Sequence, residues 1–306
     1  MRLTEKDRRT AGFAHAPRQD MIVRGRRRVG LGGGDTSIHP DFQGQGLFRS
    51  RIGFDEHLAD LYETGLTFSS NPKVAVATER DPNSHWLGNR IAVRVRVLDA
   101  WRLATGRRTR LRTGIKRATH YLAQIAGAAG DALSYPRASA IQMREISRFD
   151  ERIDAFFEEA SKPFDFIVDR TALYLNWRYC DPRGGVFAPV LAELDEEILG
   201  YAVLKMSDGH GYVADLRALP GRRDVAAALI RHAIAAARRH RAMALNCWMP
   251  LHHPYTELRR RHGFFDSRRN AGASFVTGKT MRSEELAFLK EPTARAHITH
   301  GDSDWI

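Results

Sequence analysis

Apolar residues recur along this chain with two different periods, and the switch between them outlines its elements. At residues 91–98 the alternation is strict, Val93, Val95 and Val97 against Arg94 and Arg96, which predicts a half-buried strand. In residues 224–239, Ala226, Ile230, Ala233 and Ala237 fall on one helical face. Leu47, Phe54, Leu58 and Leu61 form a second such stripe, with Gly65 placed to end that helix. Short apolar runs predict strands at 35–39, 66–70, 139–146, 186–194, 198–206, 210–217, 242–248 and 273–279. Helices are expected at 150–160, 169–178 and 252–262, and a polar, partly helical stretch leads to Trp86. The pattern is α/β, of the mixed-sheet α+β kind.

The pattern also repeats. Residues 35–40, D-T-S-I-H-P, have a partner in D-L-R-A-L-P at 215–220. Further on, Asn71-Pro72 stands opposite Met249-Pro250, and Gly88 opposite Gly263. Three landmarks in one order, at a slowly drifting offset, predict one fold used twice. The division expected is a basic leader at 1–30, a first unit at 31–99, a basic then Ala/Gly-rich connector at 100–133, a second unit at 134–282 and a tail at 283–306.

Composition narrows the class. The chain has 306 residues, 43% of them hydrophobic, and no apolar run as long as the roughly 20 residues a membrane-spanning helix needs. Cys180 and Cys247 have neither metal-ligand spacing nor a disulfide framework, which suits a reducing cytoplasm. The net charge of +12 is concentrated. Residues 1–30 carry nine Lys/Arg against three Asp/Glu, and residues 90–120 carry ten against Asp99 alone. Such segments attract anions, nucleic acid among them; the plainer expectation is a solvated Arg-rich surface.

A strand followed by P-x-x-Q-G-Q-G-L-F and an amphipathic helix resembles motif A of the GNAT acyltransferase superfamily, Gln/Arg-x-x-Gly-x-Gly/Ala. Gln43, Gly46 and Phe48 take its three defined positions, Phe48 standing where a small residue is usual. The physical logic is that successive backbone N–H groups at a helix N-terminus converge on one anion, and glycine permits close approach. The resemblance implies an acyl-coenzyme A co-substrate, acetyl-CoA or another acyl-CoA. Its pyrophosphate would lie on Gln43, Gly44, Gln45, Gly46, Leu47 and Phe48, with Asn71 at the end of the next strand beside the pantetheine arm. Asn71 reads equally well as an Asn-Pro turn capping its own loop. In the second copy the matching loop is P-G-R-R-D-V-A-A-A, with Arg223, Ala226 and Ala228 at the motif positions. That copy is expected to be a degenerate, structural repeat. Residues 174–179, Y-L-N-W-R-Y, look like a motif of bacterial tandem GNAT-like proteins and are expected to pack as a helix-end aromatic cluster.

The family transfers an acyl group to an amine directly, a base taking the amine proton and an acid, often Tyr, protonating the thiolate. Ser84 and Arg259 occupy the usual Tyr position, so the catalytic candidates are Asp35, Asp215 and Tyr255, with Glu257 a further base. No metal site is expected: His252 and His253 are adjacent, and adjacent helical residues diverge by about 100°. A complete GNAT domain has about three strands and two helices ahead of its motif A strand. Only 34 residues precede Asp35, with at most one strand expected among them, so the first unit is expected to be incomplete, its front encoded upstream. The leading expectation is an acyl-CoA-dependent N-acyltransferase for an unidentified amine. The alternatives are a non-catalytic GNAT-like binding or structural protein, and a nucleic-acid binder acting through Arg107, Arg108, Arg110 and Arg112.

Overall fold

The structure is a computed structural model that describes residues 2–33, 36–47, 62–69, 84–105, 140–277 and 281–303. Its front is built from hairpins. Strands β1 (Arg2–Lys6) and β2 (Arg9–Ala14) join through Asp7 and Arg8, both at positive φ. Strands β3 (Met21–Val23) and β4 (Arg26–Arg28) join through Arg24 and Gly25, again at positive φ. Two consecutive left-handed residues match the twist of the flanking strands, which is why such turns close two-residue hairpins. The residues expected as a leader with at most one strand are therefore folded. The short, Arg-broken apolar runs there hid the period.

After β4 come β5 (Gly30–Gly32) and β6 (Thr36–Ile38), the latter within the strand expected at 35–39. They part from each other in pairing. β5 runs parallel to β7 (Thr64–Ser69), whereas β6 pairs antiparallel with β2. Gly65 lies inside β7 and ends no helix; its neighbours Thr64 and Leu66 are fully buried in the sheet. Ser84–Trp86, expected at the end of a helical stretch, is strand β8, followed by β9 (Ile91–Val97) and the short helix α1 (Ala100–Thr105). The stripe through Phe54, Leu58 and Leu61 and the connector beyond residue 105 lie outside the described residues.

The second half follows the sequence pattern closely. Strand β10 (Gln142–Glu145) precedes α2 (Arg152–Ser161), β11 (Phe166–Val168) and α3 (Ala172–Leu175), which runs into a π-helical turn at Asn176–Cys180. Then come β12 (Ala188–Leu194), β13 (Glu197–Ser207), β14 (His210–Ala218), α4 (Arg223–Arg239), β15 (Ala244–Pro250), α5 (Thr256–Arg261) and β16 (Phe265–Thr277). The face of α4 predicted to be apolar is buried on β13 and β14: Ala226, Ala233 and Ala237 are fully covered and Ile230 nearly so. Small side chains let the helix approach the sheet closely.

The two halves are joined by exchanged strands. The main sheet runs β10-β12-β13-β14-β15-β9-β16-β7-β5. Strand β9, from the first half, lies between β15 and β16 of the second and is antiparallel to both. Strand β16 in turn pairs with β7 and β8 of the first half. One hydrophobic cluster contains Met21, Leu66 and Ile91 together with Phe156, Tyr201 and Trp248. Residues 296–303, within the segment expected as a tail, form a packed strap. Strand β17 (Ala296–His297) pairs parallel with β11, and residues 296–303 are buried.

Candidate active site

The first unit's candidate site is set up where β5 and β6 part in pairing. Among the described residues, the last hydrogen bond between the β5 line and β7 is Gly33 N–H to the Leu66 carbonyl, 2.7 Å. β6, the next described strand, pairs with β2 and not with β7. The chain then enters a 3-10 turn (Pro40–Phe42), whose Asp41 N–H bonds back to His39 Nδ1. Gly44 and Gly46 follow at φ +75° and +77°, and a Cβ added at either would meet no atom within 4 Å. This is an open, exposed loop whose left-handed turns favour glycine. Gln43 and Gln45 brace it, donating to the carbonyls of Ile38 and Asp41 at 3.1 and 3.0 Å. Lys6 from the β1–β2 hairpin donates to Gln45, and Arg9 pairs with Asp41 at 2.8 Å. The structure thus places Gln43, Gly44, Gln45, Gly46 and Leu47 together in the loop that follows β6. Phe48, Asn71 and Asp35 lie outside the described residues.

The equivalent loop of the second unit is built differently. Asp224 occupies the first turn of α4 and pairs with Arg222 at 2.8 and 3.0 Å. The Arg222 hydrogen bond and the backbone amide of Val225 hold the Asp224 carboxyl below its usual range. The α4 N-terminus therefore already has a carboxylate at its amides, which repels a second anion.

Next to this loop the parallel ladder of β14 and β15 ends at Val213 and Cys247. Past that point Tyr255 fills in: its hydroxyl accepts the Ala218 N–H at 3.0 Å and donates to the Ala218 carbonyl at 3.4 Å. A bulge at Ala214, where Val203 faces Asp215 and Leu204 faces Val213, turns Asp215 toward Tyr201. Asp215 is wholly buried and accepts four bonds: from Arg170 Nε (2.7 Å), Tyr201 Oη (2.9 Å), its neighbour Leu216 N (2.9 Å) and His297 Nε2 (3.4 Å). A carboxylate has about four lone-pair sites, so none is left for a substrate proton.

The network extends in both directions. Arg170 Nη2 reaches Asp302 Oδ1 at 2.6 Å, and Asp302 caps the Thr299 N–H at 2.8 Å. On the other side His253 Nδ1 accepts the Tyr255 backbone N–H at 3.1 Å, so the His253 proton sits on Nε2. That proton faces His297 Nδ1 at 2.9 Å, which leaves His297 protonated on Nε2 toward Asp215. Burial keeps both rings neutral: it pushes His297 down to about 4, and burial with the adjoining His297 ring pushes His253 well below its ordinary value. Burial opposes charge on Asp215, but Arg170 and His297 outweigh it and hold the carboxyl well below the usual range.

Residues 174–179 find their role here. Asn176 bonds both the N–H and the carbonyl of Phe149, at 2.8 and 2.9 Å. Arg178 grips the carbonyls of Gly301 and Ser303, each at 2.9 Å. Gly301 must be glycine, since a Cβ there would lie 1.9 Å from the Tyr179 hydroxyl. The motif anchors the C-terminal strap. Arg170, Tyr201, His297 and Asp302 carry no local signal: the Arg170 partners are 45 and 132 residues away.

The basic front is largely used internally. Arg27 pairs with Glu158 and Asp169, and Arg28 with Glu63 and Glu285. Arg107, Arg108, Arg110 and Arg112 lie outside the described residues. No helix among the described residues is long and apolar enough to cross a membrane.

The mixed sheet with α4 packed on it is a fold shared with GNAT acyltransferases. Residues 149–264 match the acetyltransferase (GNAT) family model and form a GNAT domain. At the level of sequence no curated protein matches the chain. Among solved structures it is similar to a GCN5-related N-acetyltransferase from Anabaena variabilis ATCC 29413, with 9% identity over 91% of this chain and 62% of that one and a TM-score of 0.60. A second, from Kribbella flavida, shares 12% identity over 90% and 60% of the two chains, TM-score 0.52. Saccharomyces cerevisiae N-myristoyltransferase with bound myristoyl-CoA and inhibitors shares 12% over 89% and 66%, TM-score 0.57. The chain spans about three-fifths of the length of the first solved structures it matches.

Proposed function

We propose that this protein is an acyl-CoA-dependent N-acyltransferase whose co-substrate, acetyl-CoA or another acyl-CoA, is held by the first unit. One observation carries the reading: β5 pairs with β7 whereas β6 pairs with β2, and β6 leads through the 3-10 turn at Pro40–Phe42 into an open loop with Gly44 and Gly46 at positive φ. The backbone N–H groups of residues 43–47 are the pyrophosphate ligands in this proposal, with Phe48 and Asn71 completing the set. The pantetheine arm lies past the end of the β5–β7 pairing, and the thioester carbonyl meets the amine there. The amine nitrogen bonds to the acyl carbon, the carbon–sulfur bond breaks, the thiolate takes a proton and the new amide loses one. The free thiols Cys180 and Cys247 are consistent with action in a reducing cytoplasm.

The second unit, on this reading, is a scaffold. Asp224 closes its anion loop, Tyr255 is tied to Ala218, and Asp215 has no free lone pair. The same three observations favour the second reading, a GNAT-like protein that binds acyl-CoA without turnover. Titration calorimetry with acetyl-CoA, followed by an amine panel read by thiol release, separates the two. Absence of binding at millimolar ligand refutes both.

A further inference from the structure

We propose that Lys6, the last residue before the β1–β2 turn, supplies the positive charge that holds the acyl-CoA pyrophosphate on the glycine loop. The inference rests on the co-substrate site proposed above, and it brings into that site a hairpin outside the residues that match the family model. Strand β2 pairs with β6, so the hairpin stands beside the strand that feeds the loop. The loop folds back against it: the His39 N–H bonds the Ala11 carbonyl at 2.8 Å. Lys6 and Arg9 are directly opposite across the hairpin, so their side chains leave one face together. Both reach the loop. Arg9 pairs with Asp41 at 2.8 Å and lies 5.3 Å over the Phe42 ring, while Lys6 donates to the Gln45 side-chain oxygen.

The two cations differ in what they meet. Arg9 is matched by the Asp41 carboxylate, with both side chains exposed. Lys6 is half-buried, and its contact is the neutral Gln45 amide. Gln45 stands between Gly44 and Gly46, the two positions where an added Cβ would meet no atom within 4 Å. A neutral tether therefore holds the Lys6 ammonium at the open stretch of the loop. An ammonium has several donors on a flexible stem, so it can keep Gln45 and still turn a proton to a ligand oxyanion. Backbone amides offer an anion partial charges, whereas a pyrophosphate carries full ones. A cation beside those amides supplies the difference, in a charge-assisted hydrogen bond of the stronger kind. The acetyl group and the pantetheine arm are uncharged, which leaves the phosphates as the part of the co-substrate that Lys6 meets.

The test is calorimetric titration of the full chain with acetyl-CoA and with acetyl-dephospho-CoA, which lacks the 3′-phosphate. Lys6→Gln should raise Kd roughly ten- to hundredfold for both ligands. Lys6→Arg, which restores the charge, should recover most of that loss. Added sodium chloride should weaken binding to the unaltered protein more steeply than to Lys6→Gln, a difference that a purely structural role would not produce. If the variants do not fold, amine-reactive labelling of the unaltered protein gives the answer by mass spectrometry. Either ligand should protect Lys6 and leave Lys162, exposed at the end of α2, reactive. An unaltered protein that does not bind acetyl-CoA refutes the co-substrate site, and the role of Lys6 with it. Binding that Lys6→Gln leaves unchanged, or labelling of Lys6 that bound ligand leaves unchanged, overturns the role of Lys6 alone. So does a loss seen with acetyl-CoA and absent with acetyl-dephospho-CoA, which would place Lys6 at the 3′-phosphate.

Discussion

Replacing Arg170 with methionine probes the buried network at its hub. The guanidinium is wholly buried and joins Asp215 at 2.7 Å to Asp302 at 2.6 Å. It also bonds the Val168 carbonyl at 3.1 Å. Methionine fills much of the volume but leaves two buried carboxyl groups without their cation. Breaking a buried pair from one side costs about 3–5 kcal/mol, most of it from the stranded charge. For a chain of this size each kcal/mol moves the unfolding midpoint by roughly 2–4 °C, so a fall of about 6–20 °C is expected. The pH dependence fixes the cause. With Arg170 present the Asp215 carboxyl is depressed in the folded state, so its stabilisation is present above the unfolded pKa and lost as pH falls. In the variant the same carboxyl is raised, and the penalty grows as pH rises above the unfolded value. The gap between the two proteins, measured by denaturant unfolding, is therefore wide at pH 7 and narrow near pH 4. A gap below about 1 kcal/mol at pH 7, or one that does not change with pH, would refute the reasoning.

Four other outcomes are expected. Acid should destabilise the protein through His297, because its folded value of about 4 lies below the ordinary 6.5. The loss falls between those two pH values and is reduced in His297→Gln, as unfolding at a series of pH values will show. Gly46→Val places a branched side chain at φ +77°, costing roughly 1–2 kcal/mol of loop strain; acetyl-CoA affinity should fall in calorimetry. Arg223→Gln in the second unit should leave that affinity unchanged, because Asp224 already occupies that helix terminus. Residues 134–306 produced alone lack β9 and expose the edges of β15 and β16; they should aggregate in gel filtration, and co-production with residues 1–133 should restore a folded complex.

The amino-acid sequence by itself determined the local elements of the second half and the loop of the first. The alternation at Val93, Val95 and Val97, the apolar face of α4 and the Gln43–Gly46 turn are short-range features, and short-range periodicity records them directly. It failed where strands are brief and basic, as at Arg26–Arg28, and where a glycine sits inside a strand, as at Gly65. The tertiary structure alone decided which strands become neighbours. Nothing local distinguishes β9 as the partner of β15 from β9 as the last strand of its own unit, and the alternation did not foresee that Arg94 would be buried while Val93 and Val95 are only half covered. The same holds for Arg170, Asp215, His297 and Asp302. Each is an ordinary polar residue in its own segment, and only the fold brings them within hydrogen-bonding distance, where burial makes each depend on the others.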